Sequence, residues 1–454
     1  MNNAASKVAV VGSGISGAVC ACTLARNGIS VTLFDSARGP GGRMSQRRET
    51  SEDGKEMLFD HGAPFFTVTN NDVLALVCEW ESGGLVAEWK VNLGSFDCVS
   101  KKFVNIQQDG MNKKYVGVPG MNSICKALCR QPGVESKFGV GVGRFEWLED
   151  KNLWSVSGLD GQSLGQFNGA VASDKNVVSP RFRDVTGRPP PLDLTFAPDL
   201  AVKLEEIPVN PCFALMLAFS EPLSSIPVKG FSFQDSEVLS WAHCDSSKPG
   251  RSANSERWVL HSTADYARTV IAQTGLQKPS EATLKKVAEE MFQEFQGTGL
   301  SIPLPIFRKA HRWGMGFSLE LTWKPKTLKW AAENPLKHQP WLRNRYMTLK
   351  FEDIQRQKFV HDGFDSGQLS SFTTVSDVAL VEIVQVRNSS ALYTELLMGS
   401  AFPAASIAKE ERCLWDVKRR LAICGDFCVS PNVEGAILSG LDAASKLTEI
   451  LSCL

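Results

Sequence analysis

The sequence predicts an α/β protein in which a parallel sheet, covered by helices, is joined to a second, α+β lobe built on an antiparallel sheet. Two observations predict this class. Near the N-terminus, two short apolar segments flank a glycine-rich turn and a run of small residues at helical spacing, which is the pattern of a strand–helix–strand unit. In the middle of the chain, strand-like segments at 213–219, 238–242 and 257–261 precede an amphipathic helix at 279–295.

Length and charge narrow the classes of function. The 454 residues are enough for two or three compact units. Lys and Arg total 49, and Asp and Glu also total 49, so the chain has no net field to steer nucleic acid or an anionic membrane towards it. No run of 18 apolar residues is present, so we expect no membrane-spanning helix. The expected partner is a small-molecule substrate.

The cysteines and the first residues bear on metal and location. None of the twelve cysteines has the CxxC spacing of a zinc or thioredoxin-like site, so we expect buried thiols in a reducing compartment and no metal. The first residues have no secretory or transit pattern, which predicts a cytoplasmic protein. A plastid location is the alternative if the gene prediction has lost a transit peptide.

The N-terminal unit has the residues that a dinucleotide requires. After the apolar segment 7–11, Gly12 permits a tight turn, Gly14 lets the backbone approach a pyrophosphate, and Gly17 lets helix and strand pack closely. Asp35 ends the next strand, 18 residues after Gly17, where a carboxylate can accept from ribose hydroxyls and would repel a 2′-phosphate. The predicted contacts are Gly12, Gly14, Ile15, Ser16, Gly17, Asp35 and Ser36.

The residues after Asp35 favour FAD over NAD as the dinucleotide. A glycine pair beside an arginine suits close backbone approach to a diphosphate, with a guanidinium to pair with it. This segment resembles the GGR element of flavin amine oxidases. The predicted contacts here are Arg38, Gly41, Gly42, Arg43 and Met44.

Further motifs resemble the renalase-like branch of the FAD-dependent amine oxidase superfamily. They cover about residues 7–313 and 400–452 and stand at 59–67, 115–121, 140–142, 239–242, 247–250, 258–261, 421–426 and 433–440. The resemblance implies a Rossmann-like FAD-binding domain of the glutathione-reductase type. It also implies that the turn at His61, Gly62 and Ala63 lies under the isoalloxazine and that the strand at Val142 clamps the adenine. Segments 171–175 and 262–267 depart from the family pattern, and the two-aromatic cage of amine oxidases has no match.

The C-terminal motif predicts a second contact with the flavin. A buried strand ends at Gly425, after which Asp426 can hold the ribityl or pyrophosphate portion. A helix then begins near Val433, and its N-terminus can point at the N1/C2=O locus, where negative charge gathers on reduction. The predicted contacts are Gly425, Asp426, Val433, Glu434, Gly435 and Ala436.

These motifs give a discontinuous domain plan. We expect the FAD-binding domain at 1–75, 110–180 and 400–454, and the substrate domain at 76–109 and 181–313. Residues 314–399 match nothing in the family pattern, and their removal would join His311–Gly314 to a segment at 400–405. Three interpretations explain this segment: a retained-intron product, a disordered segment, or a lineage-specific surface insertion.

The sequence predicts an oxidoreductase. The resemblance implies hydride transfer from a small amine or a dihydronicotinamide-type donor, such as NAD(P)H or its isomers, to FAD, with O₂ as acceptor and H₂O₂ as product. No general base stands out, and His261, Trp241 and Trp313 are candidates for the pocket walls. Two alternatives stay open: a non-catalytic or inactive FAD-binding isoform, and a flavin-dependent desaturase or isomerase.

Overall fold

The structure is a computed structural model that describes most of residues 6–313 and residues 410–453. Within the first range, residues 52–53, 108–112, 180–181, 184–186, 206–209 and 253 are not described. The predicted insertion at 314–399 lies outside the described residues, as does the predicted segment at 400–405.

Strands and helices are numbered here in chain order. The strands are β1 (Lys7–Val11), β2 (Ser30–Asp35), β3 (Gln46–Thr50), β4 (Glu56–Asp60), β5 (Val86–Glu88), β6 (Leu93–Asp97), β7 (Lys102–Gln107), β8 (Tyr115–Gly117), β9 (Val134–Phe138), β10 (Val142–Leu148), β11 (Leu153–Gly158), β12 (Ser163–Phe167), β13 (Gly169–Ala172), β14 (Cys212–Phe219), β15 (Gly230–Gln234), β16 (Leu239–Cys244), β17 (Glu256–Ser262), β18 (Phe307–Trp313), β19 (Leu414–Asp416) and β20 (Leu421–Ile423). The helices are α1 (Ile15–Arg26), α2 (Asn71–Ser82), α3 (Asn122–Leu128), α4 (Pro198–Glu205), α5 (Ala264–Thr274), α6 (Glu281–Gly297), α7 (Asp426–Val429) and α8 (Val433–Leu451).

The first sheet has six strands in the order β19-β20-β13-β1-β2-β9. All its pairings are parallel except the one between β19 and β20. β1 is buried over four of its five residues, as expected for a strand with layers on both faces. This confirms the predicted α/β class with a Rossmann-like strand–helix–strand unit, and β20 brings residues from the far end of the sequence into the same sheet.

Helices α1 and α8 pack together beside this sheet. A Cβ atom at Gly440 of α8 would lie 2.3 Å from the carbonyl oxygen of Ser16 in α1, so only glycine allows this approach. The small residues that the sequence places in both helices therefore let the C-terminal helix contact the first turn of the N-terminal one.

The second sheet has seven strands in the order β18-β14-β17-β16-β15-β6-β7. It is mixed rather than wholly antiparallel as predicted, because β6 pairs with β15 in parallel register. A strand from early in the chain joins this edge after a long connection, and such a connection permits either direction.

Strand β14 separates two apolar layers by its alternation. Phe213, Leu215 and Leu217 pack with side chains of α5 and α6, including Phe292. The intervening residues Ala214, Met216 and Ala218 pack with Met57 and Phe59 of β4 and with Val259. Burial of each Leu, Phe, Met or Val side chain among them stabilises the fold by roughly 1.5–3 kcal/mol. The second sheet is thereby fixed against β4, the strand that leads into the turn at residues 60–63.

One predicted domain boundary coincides with a helix. The division between residues 75 and 76 falls inside α2, which begins after its cap Asn70 and buries Val73, Val77 and Trp80 on one face. The helix is therefore one unit up to Ser82.

Among the described helices, none combines the length and apolar character that a membrane crossing requires.

Candidate functional site

The glycine loop between β1 and α1 has one crowded side and one open side. Gly12 has a φ of +102°, and a Cβ atom at Gly17 would lie 2.1 Å from the Gly12 carbonyl oxygen. A Cβ atom at Gly14, in contrast, would have no neighbour within 4 Å. Helix α1 begins directly after Gly14, and no side chain caps its N-terminus. The loop thus leaves room and backbone N–H groups for an anionic group at Gly14.

Asp35 lies beside this loop and is half-buried. Its carboxylate accepts hydrogen bonds from the Ser13 N–H at 2.8 Å, from the Ser13 hydroxyl, and from the Ala37 N–H at 2.7 Å. A carboxylate offers about four lone-pair sites, so acceptor capacity is left for a ribose hydroxyl. Ser36 and Arg38 are exposed beside it.

The predicted adenine contact at Val142 lies next to the end of β2. Val142 is buried at the start of β10, and the Val140 N–H donates to the Asp35 carbonyl oxygen at 3.0 Å. The segment at 140–142 therefore lies at the same edge as Asp35, where the adenosine end of a dinucleotide is expected.

The second glycine element packs directly on the first. The Gly41 N–H donates to the Ser13 carbonyl oxygen at 3.0 Å, and Gly41 has a φ of +133°. A Cβ atom at Gly42 would lie 3.3 Å from Gly14 Cα. The short 3₁₀ turn Gly42–Met44 follows, with Met44 buried. The sequence predicted both elements as diphosphate contacts, and the fold brings them together.

Arg43 and Asp426 form a bidentate ion pair across 383 positions of the sequence. Arg43 Nη1 lies 2.6 Å from Asp426 Oδ2, and Nη2 lies 2.6 Å from Oδ1. The Asp426 side chain is 2% exposed and that of Arg43 is 33% exposed. Both were predicted to face the cofactor. In the structure they bind each other and so join the 3₁₀ turn to α7, whose preceding Gly425 N–H donates to the Ser439 hydroxyl.

The start of α8 is tied to neighbouring loops. Its cap Asn432 accepts from the Gly435 N–H at 2.7 Å. The Glu434 carboxylate accepts from the N–H groups of Thr69 and Asn70, at 2.7 and 2.6 Å, and from the Thr69 hydroxyl. Glu434, a predicted cofactor contact, thus holds the loop before α2. The other predicted contacts in this turn, Val433, Gly435 and Ala436, are buried.

The turn after β4 contacts both the cofactor-side loop and the second sheet. A Cβ atom at Gly62 would lie 2.0 Å from the Arg43 carbonyl oxygen, which also accepts from the Ala63 N–H at 2.9 Å. The His61 carbonyl oxygen accepts from His261 Nε2 at 3.0 Å and from Trp313 Nε1 at 2.7 Å. The His61 carbonyl oxygen thus has two donors, which come from the two neighbouring strands β17 and β18.

The histidines of this region are held neutral at pH 7. Burial lowers the pKa of His61 well below its ordinary value, with further lowering by His311 and Arg47. Burial is also the main reason why the pKa of His261 falls to about 4, and the same cause lowers the pKa of His311 to about 4. Because a carbonyl oxygen only accepts, the proton of neutral His261 stands on Nε2.

The three predicted pocket-wall residues lie in different environments. Trp241 is fully buried and donates from Nε1 to His243 Nδ1 at 3.2 Å, so it is a residue of the core. Trp313 is half-buried, and its ring centroid lies 4.7 Å from that of His61. His261 and Trp313 therefore meet at one backbone carbonyl, and Trp241 does not join them there.

Sequence reasoning missed a buried cluster of four charges beside the turn. Lys248 Nζ lies 3.1 Å from Asp60 and 2.8 Å from Asp245, and Arg251 Nη2 lies 2.5 Å from Asp60 and 3.2 Å from Asp245. Each of these side chains is at most 1% exposed. Burial alone would raise the pKa of Asp245, but Arg251 and Lys248 hold that pKa well below its ordinary value. The signal was present in the motifs at 59–67 and 247–250, which contain Asp60 and Lys248.

Comparison with known proteins supports the dinucleotide-binding fold. Residues 10–80 match the family of NAD(P)-binding Rossmann-like domains, and this range contains the glycine loop and Asp35. A stretch of 76 residues is 36% identical to the mitochondrial protoporphyrinogen oxidase of Nicotiana tabacum. That match covers 17% of this chain, and the chain spans only 14% of the length of this relative.

Two solved structures match parts of the chain at low sequence identity. A candidate protoporphyrinogen oxidase from Exiguobacterium sp. 255-15 has a TM-score of 0.49 at 11% identity, over 73% of this chain and 92% of that one. A putrescine oxidase has a TM-score of 0.45 at 11% identity, over 66% of this chain and 84% of that one.

Proposed function

We propose that this chain is a FAD-dependent oxidoreductase of the flavin amine oxidase superfamily. One observation carries the proposal: the open glycine loop at Gly14, the second glycine element at Gly42 and the Arg43–Asp426 pair lie together. A Rossmann-like unit alone serves NAD as well as FAD. A second glycine turn and a C-terminal aspartate beside the same loop suit the longer path of a flavin dinucleotide.

The residues present fit FAD by shape and charge. The open space at Gly14 and the uncapped N-terminus of α1 would receive the pyrophosphate, and Asp35 would accept from the adenosine ribose. Arg43 and Asp426 would flank the diphosphate and ribityl portion, and the N-terminus of α8 would favour negative charge on the reduced ring. The turn at His61, Gly62 and Ala63 would lie against the isoalloxazine, as the family resemblance implies.

The finer proposal concerns the reaction. The bound flavin would accept a hydride from a small amine or a dihydronicotinamide-type donor and pass the electrons to O₂, which yields H₂O₂. The contribution of the chain is to orient the donor and to keep water away. His61, His261 and His311 stay neutral at pH 7, so none of them offers a fixed positive charge. The ring cluster of His61, His311 and Trp313 gives this side of the turn an aromatic wall.

A visible spectrum of the purified, desalted protein tests the cofactor. We expect flavin bands, and anaerobic titration with NADH, its dihydropyridine isomers and a panel of amines should bleach them with one donor class. Gly17→Ala should abolish the bands because its Cβ atom would overlap the Gly12 carbonyl oxygen. Gly297→Ala is the matched control, since a Cβ atom there meets nothing within 4 Å.

The possible results distinguish the proposed cofactor from the proposed reaction. Flavin bands that one donor bleaches support both cofactor and reaction. Flavin bands that no donor bleaches would contradict the redox reaction and favour a binding protein. A colourless protein that also fails to take up added FAD would contradict the proposed cofactor.

A further inference from the structure

The His61 carbonyl group joins three parts of the chain. Its oxygen accepts from His261 Nε2 in β17 and from Trp313 Nε1 in β18, at 3.0 and 2.7 Å. A carbonyl oxygen has two lone pairs, so these two donors satisfy it fully. His61 and His261 are almost fully buried, so the His61 carbonyl oxygen has little access to water when a donor is lost.

The same turn is fixed on its opposite side. Gly62 and Ala63 lie against the Arg43 carbonyl oxygen, so close that a Cβ atom at Gly62 would overlap it. The guanidinium of Arg43 in turn binds Asp426. A shift of the His61 peptide would therefore be transmitted to the pair that we propose flanks the diphosphate.

We propose that His261 and Trp313 are positioning residues, which act through the His61 carbonyl to hold the turn at 60–63 against Arg43. This inference rests on the proposed function, because it concerns the surroundings that a bound flavin meets. Neither side chain has to touch the reacting atoms. Trp241 has no such role, because its indole N–H donates to His243 and not to the His61 carbonyl oxygen.

Because both side chains donate to the same oxygen, the effects of their loss should not be additive. Loss of one donor leaves the His61 oxygen with the other, so a single substitution has a modest effect. Loss of both leaves a buried carbonyl group without any partner, which is far more costly than two separate losses. If the two side chains only filled space, His261→Gln, which restores the donor, would help no more than His261→Leu.

The variants are His261→Leu, Trp313→Phe and the double variant, with His261→Gln as the conservative replacement. A glutamine amide can donate from about the position of the histidine Nε2, and phenylalanine keeps an aromatic ring beside His61. Trp258→Phe is the matched control, since Trp258 lies in the same strand as His261 but donates to Glu256 at 2.8 Å. Far-UV circular dichroism establishes that each variant is folded.

The readouts are the dissociation constant for FAD and the midpoint potential and visible spectrum of the bound flavin. We expect each single variant to weaken FAD binding about 3-fold, and the double variant on the order of 100-fold, well beyond the product of the two. His261→Gln should restore binding and spectrum in the Trp313→Phe background, whereas Trp258→Phe should leave potential and spectrum unchanged.

Several results would overturn the inference. If the double variant equals the product of the singles, or if all variants bind flavin with an unchanged spectrum, the positioning role is refuted while the proposed cofactor stands. If the double variant does not fold, the comparison of His261→Leu with His261→Gln alone decides, because only the former should shift the potential. A wild-type protein that takes up no flavin refutes the proposed function, and the positioning role with it.

Discussion

Substitution of Lys248 by methionine tests the buried charge cluster. In the folded protein two carboxylates, Asp60 and Asp245, face two cations, Lys248 and Arg251, and each side chain is at most 1% exposed. Methionine is an unbranched side chain only one heavy atom shorter than lysine, and it carries no charge. One buried negative charge is then uncompensated, so we expect a loss of about 3–5 kcal/mol in the free energy of unfolding. That is a large part of the roughly 5–15 kcal/mol that stabilises a typical domain.

The assay is urea denaturation of the FAD-free protein, followed by far-UV circular dichroism. Lys418→Met is the matched control, because Lys418 pairs with Glu149 at 3.4 Å on the surface and is 67% exposed. This surface pair should contribute about 0–1 kcal/mol. The double variant Lys248→Met/Asp245→Asn restores charge balance and should be more stable than Lys248→Met alone.

The pH dependence has a defined sign. In the wild type the pKa of Asp245 is depressed, so its contribution is present above the unfolded pKa of about 3.9 and is lost as the pH falls through the folded value. In Lys248→Met two carboxylates share one cation, so one of them should bind a proton more readily. The loss in the free energy of unfolding relative to wild type should therefore be smaller at pH 5 than at pH 7. If the loss of stability in Lys248→Met is as small as in Lys418→Met, or does not depend on pH, the buried charges do not stabilise the fold as described.

Two further predictions concern the ion pair at the glycine loop and the thiols. Asp426→Asn removes the bidentate partner of Arg43, so FAD titration followed by flavin fluorescence should show affinity about 10-fold weaker. Unchanged affinity would contradict a role of the pair in cofactor binding. Among the twelve cysteines, Cys78 and Cys453 are exposed, whereas burial raises the pKa of Cys424 to about 12. A disulfide reagent should therefore modify two thiols rapidly in the folded protein, and fast reaction of many more would contradict the described packing.

Local patterns in the sequence predicted the parts of the fold that depend on neighbours in the chain. Gly12, Gly14 and Gly17 are such a case, because the turn, the helix start and the strand lie within a few residues of one another. Strand β14 and helix α6 were predicted for the same reason. An unbroken apolar run indicates a strand buried on both faces, and apolar residues at helical spacing indicate a helix with one buried face.

The contacts that sequence reasoning did not predict join distant segments. Arg43 and Asp426 were each assigned to the cofactor, but nothing in their spacing indicates that they bind each other. Lys248 and Arg251 stand in a segment rich in serine, proline and glycine, which is typical of an exposed turn. Their burial depends on Asp60, about 190 positions away, and on the sheet that closes over them.

The pairing of α1 with α8 has a consequence for synthesis of the chain. Helix α1 is complete at Arg26, whereas α8 begins at Val433. At about 5–20 residues per second, a ribosome would need roughly 20–80 s to add the residues between them. During this time the apolar side of α1 that α8 later covers has no native partner. The first sheet can therefore be completed only after its last strands, β19 and β20, have been synthesised.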